Sequence, residues 1–224
     1  SPVLSPLLIS RRDVFVKRFV DRLRDEGVVV EADTVAGRQP GGAYEVGTRT
    51  HTIDQVLMPM MKESDNLCAE ALFYQLGAST GAHPATARDA RTVVRRLVEK
   101  VGLRPSDYRI ADGSGLSLYN YVTAELEVML LRYAYQNTNI YMHLLPSLPV
   151  AGEDGTLRRR MRGAFTSGNV KAKTGSVTAI SSLAGYCTAA NGHVLCFAII
   201  NQGIRRGSEG RAFQDRVCEA LCRP

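Results

Sequence analysis

The last third of the chain carries the pattern that most restricts its fold. Apolar and β-branched residues dominate a run that is interrupted by Asn191-Gly192, the dipeptide that most strongly indicates a two-residue hairpin turn. The stretch from Arg211 to Leu221 is predicted to be a helix that covers the resulting sheet. The predicted strands are Val170–Lys173, Ile180–Ala189 and His193–Asn201.

The first two thirds of the chain is predicted to be largely helical. A first helix is predicted over Ser10–Gly27, where Phe15, Phe19 and Leu23 recur at helical spacing, and Val28–Val30 then predicts a short strand. The first helix has a capping-box-like start at Ser10 and Asp13, and a loop is predicted from Gly37 to Gly47. A second helix is predicted to start near Thr52 and to be interrupted at Pro59. Further helices are predicted from Asn66 to Leu76 with Gly77 as the stop, through Val93 to Gly102, and from Thr123 through Tyr133.

Helices followed by an antiparallel sheet and a covering helix indicate an α/β (α+β) fold with a layered core. The length of 224 residues fits one domain, and a hydrophobic content of 45% excludes intrinsic disorder. The uncharged stretch from Thr174 to Ile204 contains Asn201, Gln202 and several serines, so no transmembrane helix is predicted.

Charge and cysteine content exclude further classes of function. The net charge is +6, with 23 Arg against 5 Lys, but the one dense run is Arg158-Arg159-Arg160 with Arg162, and no aromatic residues interleave it. A base-stacking surface needs such aromatics, so we predict a solvated helix or turn there and no nucleic-acid partner. The five cysteines and four histidines show no metal-ligand spacing, which predicts neither a metal nor another cofactor.

Two short motifs indicate chemistry through their order. Ser64-Asp65-Asn66 alone is compatible with an ordinary helix cap, and Lys173-Thr174-Gly175 alone with a strand that ends in a turn. With Asn66 and Lys173 separated by 107 residues, the pair matches the S-D-N and K-T-G motifs of penicillin-binding proteins and class A β-lactamases. Acyl transfer by enzymes with these motifs requires a serine nucleophile, proton transfer, a cation for the substrate carboxylate and N–H donors for the oxyanion.

Four blocks in order narrow this pattern to one family. They are Met61–Leu67, Asp112–Ser117, Leu148–Leu157 and Val170–Ser176. Together they resemble the low-molecular-mass class C penicillin-binding proteins, the D-Ala-D-Ala carboxypeptidase/endopeptidases. The resemblance implies a serine β-lactamase/transpeptidase-like domain in an exported enzyme, on the periplasmic or cell-wall side, that cleaves peptidoglycan stem peptides through an acyl-enzyme and is acylated by β-lactams.

The resemblance also implies roles for single residues. Ser64 would relay a proton, Asn66 would hold the substrate amide, and Lys173 would stabilise charge. Substrate binding would fall to Thr174 and Ser176 for the carboxylate, to the Ser176 N–H for the oxyanion, and to Gly175 for close approach of a substrate strand. The turn that contains Asp112 and Ser114 would either line the cleft or be purely structural.

The Ser-x-x-Lys motif of this family is absent. No serine in the sequence has a lysine at the third following position, and Ser64, for example, reaches Leu67. We therefore expect residues 1–224 to be the C-terminal part of such an enzyme, with the nucleophile segment and inserted domains outside it. The chain alone is then expected to be inactive and to self-associate through core surface that the missing segment would cover.

Two other functions remain open. A class A β-lactamase would place its nucleophile near the start of this chain, but Ser5-Pro6-Leu7-Leu8 has no lysine and no Glu-x-x-Leu-Asn segment lies between the motifs. A non-catalytic wall-binding module that retains the motif residues is the second alternative.

The predicted hairpin also sets a cysteine register. A two-residue turn at Asn191-Gly192 places Cys187 directly opposite Cys196. Their side chains would meet on one face of the sheet, either as small apolar neighbours or as a disulfide.

Overall fold

The computed structural model describes residues 11–31, 41–42, 44 and 47–223. The chain divides into two compact units, residues 1–49 and residues 50–224. In the first unit, helix α1 spans Arg11–Asp25. Gly27 follows its last turn, with a φ of +81° in the left-handed region that favours glycine. Ser10 and most of the predicted loop from Gly37 to Gly47 lie outside the described residues.

The strand predicted at Val28–Val30 is wrong. The N–H of Val28 donates to the carbonyl of Leu23 at 2.8 Å and closes the end of α1, and Val29 is 80% exposed. A run of valines forms a strand when a sheet edge is available to pair with it. No described strand pairs with this run.

Six helices and two short 3-10 turns make up the helical part of the second unit as described. Threonine side chains at Thr52, Thr86 and Thr123 cap the first turns of three of the helices. The helices are α2 (Ile53–Lys62), α3 (Asn66–Ala78), α4 (Ala87–Lys100), α5 (Ala124–Gln136), α6 (Thr138–Ser147) and α7 (Gly207–Cys222), and the 3-10 turns are Pro105–Asp107 and Gly155–Leu157.

Two predicted helix breaks are wrong. Helix α2 continues through Pro59 to Lys62, and the Pro59 carbonyl accepts the N–H groups of Glu63 and Asp65. Gly77 lies within α3, which ends at Ala78, and it is buried where α3 packs against α4. A Cβ there would lie 3.0 Å from the backbone nitrogen of Ala90, so this glycine serves helix packing instead of a stop.

A further helix, α6, follows α5 almost directly and was not predicted. The side-chain amide of Asn137 donates to the Tyr133 carbonyl at 2.6 Å at the end of α5. The Asn137 carbonyl then accepts the N–H groups of Ile140 and Tyr141 in the first turn of α6. One asparagine thus ends one helix and begins the next.

The described sheet has three antiparallel strands in the order β1 (Lys171–Val177), β2 (Ile180–Thr188) and β3 (Val194–Gln202). The strands confirm the predicted antiparallel sheet. However, β1 runs four residues past Lys173, so Thr174 and Gly175 lie within the strand and not in a turn after it.

Helices cover both faces of the sheet. Helix α7 packs on β2, and one buried cluster there joins Leu183 and Phe197 of the sheet with Cys218 of α7. On the opposite face α5 packs against β3, and the Tyr186 hydroxyl of β2 donates to the Leu131 carbonyl of α5 at 2.6 Å. This layered architecture, with the C-terminal helix as cover, confirms the predicted fold class.

The predicted pairing of Cys187 with Cys196 is wrong by one residue. The N–H of Ala189 donates to the His193 carbonyl, so the hairpin connection has three residues and ends at Gly192 with a φ of +83°. The extra residue makes Cys187 face Leu195 and Cys196 face Tyr186. The two cysteines therefore lie on opposite faces of the sheet, and all five cysteines are free thiols.

The arginine run is not uniformly solvated as predicted. Arg158 and Arg159 are exposed, but the guanidinium of Arg160 lies against α7. It donates to the carboxylate of Asp215 from both Nη2 (2.6 Å) and Nε (3.0 Å) and to the Gln214 side chain. Arg160 thus fastens the covering helix.

No helix in the described ranges is long and apolar enough to cross a bilayer.

We expect Gly185→Ala to destabilise the second unit by about 1–3 kcal/mol, the usual cost of overpacking a core. Gly185 is buried in the central strand, and a Cβ there would overlap the Lys171 carbonyl and lie 2.7 Å from the Ala172 Cβ. Urea unfolding measures the change. Gly163→Ala is the control in the same unit, because Gly163 is exposed and a Cβ there would meet only the Thr166 hydroxyl at 3.7 Å. Equal unfolding midpoints for the two variants would contradict the β1–β2 packing.

Candidate active site

Ser64 occupies a strained turn between two helices. Its φ of +59° is unusual for a residue with a side chain and costs roughly 1–3 kcal/mol. The next residue, Asp65, caps α3 by accepting the N–H of Cys68 at 2.8 Å. The helix-cap interpretation of the motif therefore holds for Asp65. Ser64 is half-buried, and its hydroxyl bonds to a residue far away in the sequence.

Lys173 lies on the sheet face that is turned away from α7, and its ammonium group reaches Ser64. The Nζ atom donates to Ser64 Oγ at 2.8 Å and to the carbonyl of Thr174 at 2.6 Å. No described Asp or Glu forms an ion pair with it. Burial lowers the pKa of Lys173 below the ordinary lysine value, because desolvation disfavours the charged form.

This contact is chemically suited to proton transfer. As a cation, Lys173 polarises the hydroxyl of Ser64, and its lowered pKa reduces the free-energy cost of its neutral form. The remaining face of Lys173 is available to attract an anionic group, since no carboxylate of the described chain neutralises it. The sequence placed these two residues 109 positions apart, and the fold brings them into hydrogen-bond contact.

The other residues of the third motif lie along an accessible strand edge. Thr174 Oγ1 donates to Thr156 Oγ1 at 2.9 Å, and Ser176 is exposed. A Cβ on Gly175 would overlap the hydroxyl of Ser182, so a larger residue there would force that hydroxyl to move. Within the described part of the chain, β1 pairs with β2 on one side, and its other side is unpaired beyond the single bridge from Lys171 to Val150.

Asn66 and the double-glycine turn are placed less decisively. Asn66 is exposed at the first turn of α3. The carboxylate of Asp112 accepts the N–H groups of Gly115 and Ser117, at 2.8 and 2.7 Å, so it organises its own turn. The Ser114 N–H donates to Glu70 and fixes that turn on α3. These contacts favour the structural interpretation of Asp112, and its role as a cleft residue stays a prediction.

Sequence reasoning missed a set of contacts that joins the two motif segments. Lys62, two residues before Ser64, forms an ion pair with Asp154, and its side chain is 12% exposed. Asp154 also accepts the N–H of Val150 at 2.8 Å. Lys62 lies in the block Met61–Leu67 and Asp154 in the block Leu148–Leu157, so their opposite charges and positions were the available signal. No group of described His, Cys, Asp and Glu residues is arranged to hold a metal.

We expect the amine of Lys173 to titrate below the ordinary lysine value of about 10.4. The direction follows from its burial and from the absence of a described carboxylate partner. Because the folded state disfavours the charged amine, this group raises stability as pH increases from its lowered pKa toward the unfolded value. NMR titration of ¹³C-dimethylated lysines in the isolated chain measures the pKa, with Lys173→Arg to assign the signal. A value at or above the ordinary one would contradict the buried placement.

Comparisons with known proteins identify the family of the chain. The model of the D-Ala-D-Ala carboxypeptidase 3 (S13) family matches residues 10–222. The D-alanyl-D-alanine carboxypeptidase of Actinomadura sp. is 36% identical over 213 residues, which cover 91% of this chain and 39% of that protein. The D-alanyl-D-alanine carboxypeptidase DacB of Haemophilus influenzae is 30% identical over 205 residues, covering 89% and 42%.

Solved structures show the same fold. Penicillin binding protein 4 of Haemophilus influenzae superposes with a TM-score of 0.85 at 27% identity, over 96% of this chain and 50% of that chain. The TLA-3 extended-spectrum β-lactamase, at 19% identity and a TM-score of 0.58, shares the fold alone. The chain spans about two fifths of the length of the curated relatives that it matches. Since the family model matches nearly all of its residues, the chain belongs to the D-Ala-D-Ala carboxypeptidase 3 (S13) family.

Proposed function

We propose that this chain supplies the second and third catalytic elements of a serine-type D-Ala-D-Ala carboxypeptidase/endopeptidase that acts on peptidoglycan stem peptides and is acylated by β-lactams. The observation on which this rests is the 2.8 Å hydrogen bond from Lys173 Nζ to Ser64 Oγ. It joins the two motifs in the arrangement that proton transfer at an acyl centre needs. Cell-wall substrates imply an exported protein on the periplasmic or wall side.

The proposed reaction uses a serine nucleophile outside residues 1–224. Its oxygen forms an ester with the penultimate D-Ala carbonyl as the peptide C–N bond breaks, and the terminal D-Ala leaves after its nitrogen receives a proton. Ser64 relays that proton, and Lys173 holds the hydroxyl in position through their direct contact. Water then hydrolyses the ester and regenerates the enzyme.

Substrate binding is assigned to the accessible edge of β1. An extended peptide that adds to this edge would place its terminal carboxylate near Lys173, the hydroxyl of Thr174 and the exposed Ser176. The Ser176 N–H is proposed as one oxyanion donor, and Asn66 as the group that holds the substrate amide. Gly175 keeps the strand surface low at this point, in addition to its packing against Ser182.

The alternative functions receive less support. A non-catalytic wall-binding module would have no use for a buried, unneutralised lysine, because burying that charge costs free energy and binding alone can be achieved by exposed cations. A class A β-lactamase function rests on a likeness that shows the fold alone. Labelling of the complete protein with a fluorescent penicillin separates the enzyme from the wall-binding module.

In the complete protein, Lys173→Ala is expected to slow acylation by penicillins and D-Ala-D-Ala peptides about 10²–10³-fold, the typical effect of removing one preorganised electrostatic group. The fold should remain, since a buried cation is a burden to stability and not part of the packing. Stopped-flow acylation rates and thermal unfolding provide the two readouts.

Lys171→Ala is the matched control for this variant. Lys171 lies two residues earlier on the same face of β1 but forms no described hydrogen bond with Ser64. Its loss should leave the acylation rate near that of the parent protein. If Lys173→Ala acylates normally but unfolds at lower temperature, Lys173 is structural and the proposed role is wrong.

The isolated 224-residue chain should form no covalent adduct with penicillin. No Ser-x-x-Lys motif occurs in it, so the activated nucleophile and its oxyanion N–H are missing, and the remaining groups can at best hold a carboxylate by weak non-covalent contacts. Intact-mass spectrometry after incubation with benzylpenicillin makes the test, with the complete protein as the positive control.

Ser64→Ala provides the second control in this experiment. An adduct on the parent chain that disappears in Ser64→Ala would make Ser64 itself the nucleophile and would reverse the assignment of roles. The absence of an adduct on the complete protein would instead contradict the proposed enzyme.

A further inference from the structure

A cavity that contains none of the motif residues lies between α4 and the segment that follows it. Its volume is about 340 Å³. Three arginines line it, Arg91 and Arg95 from α4 and Arg109 from the opposite wall, and no Asp or Glu takes part in the lining. A volume of this size lies within the usual range for small-molecule sites.

The three guanidinium groups have no acidic partner among the described residues. Arg91 Nη1 reaches the carbonyl of Ala111 at 3.5 Å, and Arg109 lies 5.1 Å from the ring centroid of Tyr119. Arg95 forms no described side-chain hydrogen bond. Arg95 and Arg109 are exposed, and apart from the long contact of Arg91 with Ala111 the N–H donors of the three arginines are available to a ligand at this cavity.

The spacing of the arginines is unfavourable without a ligand. Arg91 and Arg95 stand four residues apart on one helix face, an arrangement in which like charges destabilise a helix. Arg109 adds a third positive charge from the other wall. An anion between them would replace mutual repulsion with charge-assisted hydrogen bonds, and the planar guanidinium group matches carboxylate and phosphate oxygens in pairs.

The floor of the cavity is apolar. Val94, Val98 and Pro105 line it; Val94 and Pro105 are partly exposed, and Val98 lies beneath them at 3% exposure. A free inorganic anion would leave this surface in contact with water, whereas a ligand with an apolar body would cover it. The chemistry of the lining thus calls for an oxyanion that is joined to a hydrophobic group.

We propose that this cavity binds a small organic anion, in which a carboxylate or phosphate contacts Arg91, Arg95 and Arg109 and an apolar group rests on the valine floor. The site shares no residue with the proposed catalytic groups. It therefore neither requires nor tests the carboxypeptidase function.

Isothermal titration calorimetry on the isolated chain tests this proposal with four probes: hexyl phosphate, hexanoate, inorganic phosphate and hexanol. We expect hexyl phosphate or hexanoate to bind more tightly than both inorganic phosphate and hexanol. Binding by one of the two amphiphilic anions and not the other identifies phosphate or carboxylate as the preferred head group. Arg95→Gln should weaken this binding about tenfold or more, and raising the salt concentration should weaken it further.

Arg96→Gln is the matched control. It removes the same charge from the next residue of α4, which is exposed like Arg95 but does not line the cavity. Its affinity for the probe should equal that of the parent chain. Arg109→Gln, on the opposite wall, should weaken binding as Arg95→Gln does, and it keeps the test valid if a change in α4 disturbs folding. Circular dichroism verifies the fold of each variant.

Three results would overturn the proposal. The first is an equal loss of affinity in Arg95→Gln and Arg96→Gln, which would indicate an effect of net charge and not a site. The second is hexanol binding as tight as hexyl phosphate binding, which would indicate an apolar cleft. The third is no binding of any probe at millimolar concentration.

Discussion

The close contact between the end of α2 and residues 149–157 is the constraint on which the rest of the site depends. Gly155, with a φ of +51°, lies so near α2 that a Cβ would be 2.6 Å from the Lys62 carbonyl. The Lys62–Asp154 ion pair closes the same contact from the side chains. Two residues beyond Lys62 the chain reaches Ser64, so this contact sets where the serine lies.

The same segment holds β1 in place. The Pro149 carbonyl accepts the N–H of Ala172, next to Lys173, and Thr156 accepts the hydroxyl of Thr174. Residues 149–157 therefore connect the helical layer that carries Ser64 with the sheet that carries Lys173. A hydrogen bond of 2.8 Å between side chains from two layers tolerates little relative movement, because its strength depends steeply on geometry. The ion pair and the glycine contact limit that movement.

Local patterns in the sequence predicted the elements well, and long-range contacts explain the errors. The helix start at Thr123 and the apolar runs of β2 and β3 are local signals, and both were interpreted correctly. The hairpin register failed because Asn191-Gly192 was assumed to form the turn alone, whereas Ala190 joins it and Gly192 takes the left-handed position of a three-residue connection. One added residue moves every side chain to the other face.

In the candidate site, too, local patterns were predictive and long-range contacts were missed. The types and order of Ser64 and Lys173 were sufficient to predict that they act together, but not that Lys62, Asp154 and Gly155 bring them together. Gly77 was interpreted as a helix stop, although its actual role is to let α4 approach. Such roles arise from packing partners that lie far away in the sequence, and no window of neighbouring residues contains them.

Strain and desolvation make the site costly for folding, and contacts elsewhere in the same unit compensate for that cost. Ser64 is held at a positive φ, and Lys173 is buried without a described counter-ion, so both residues oppose folding. The contacts that compensate are in the same unit: the buried cluster beneath α7, the Arg160–Asp215 pair that fastens that helix, and the close packing around Gly155. Because these contacts stabilise the unit that carries both costly residues, packing within residues 50–223 maintains the Ser64–Lys173 geometry. In the proposed function, a preorganised pair of this kind would not have to rearrange when a substrate carbonyl arrives, which is the condition under which fixed charges and dipoles contribute most to an acyl-transfer rate.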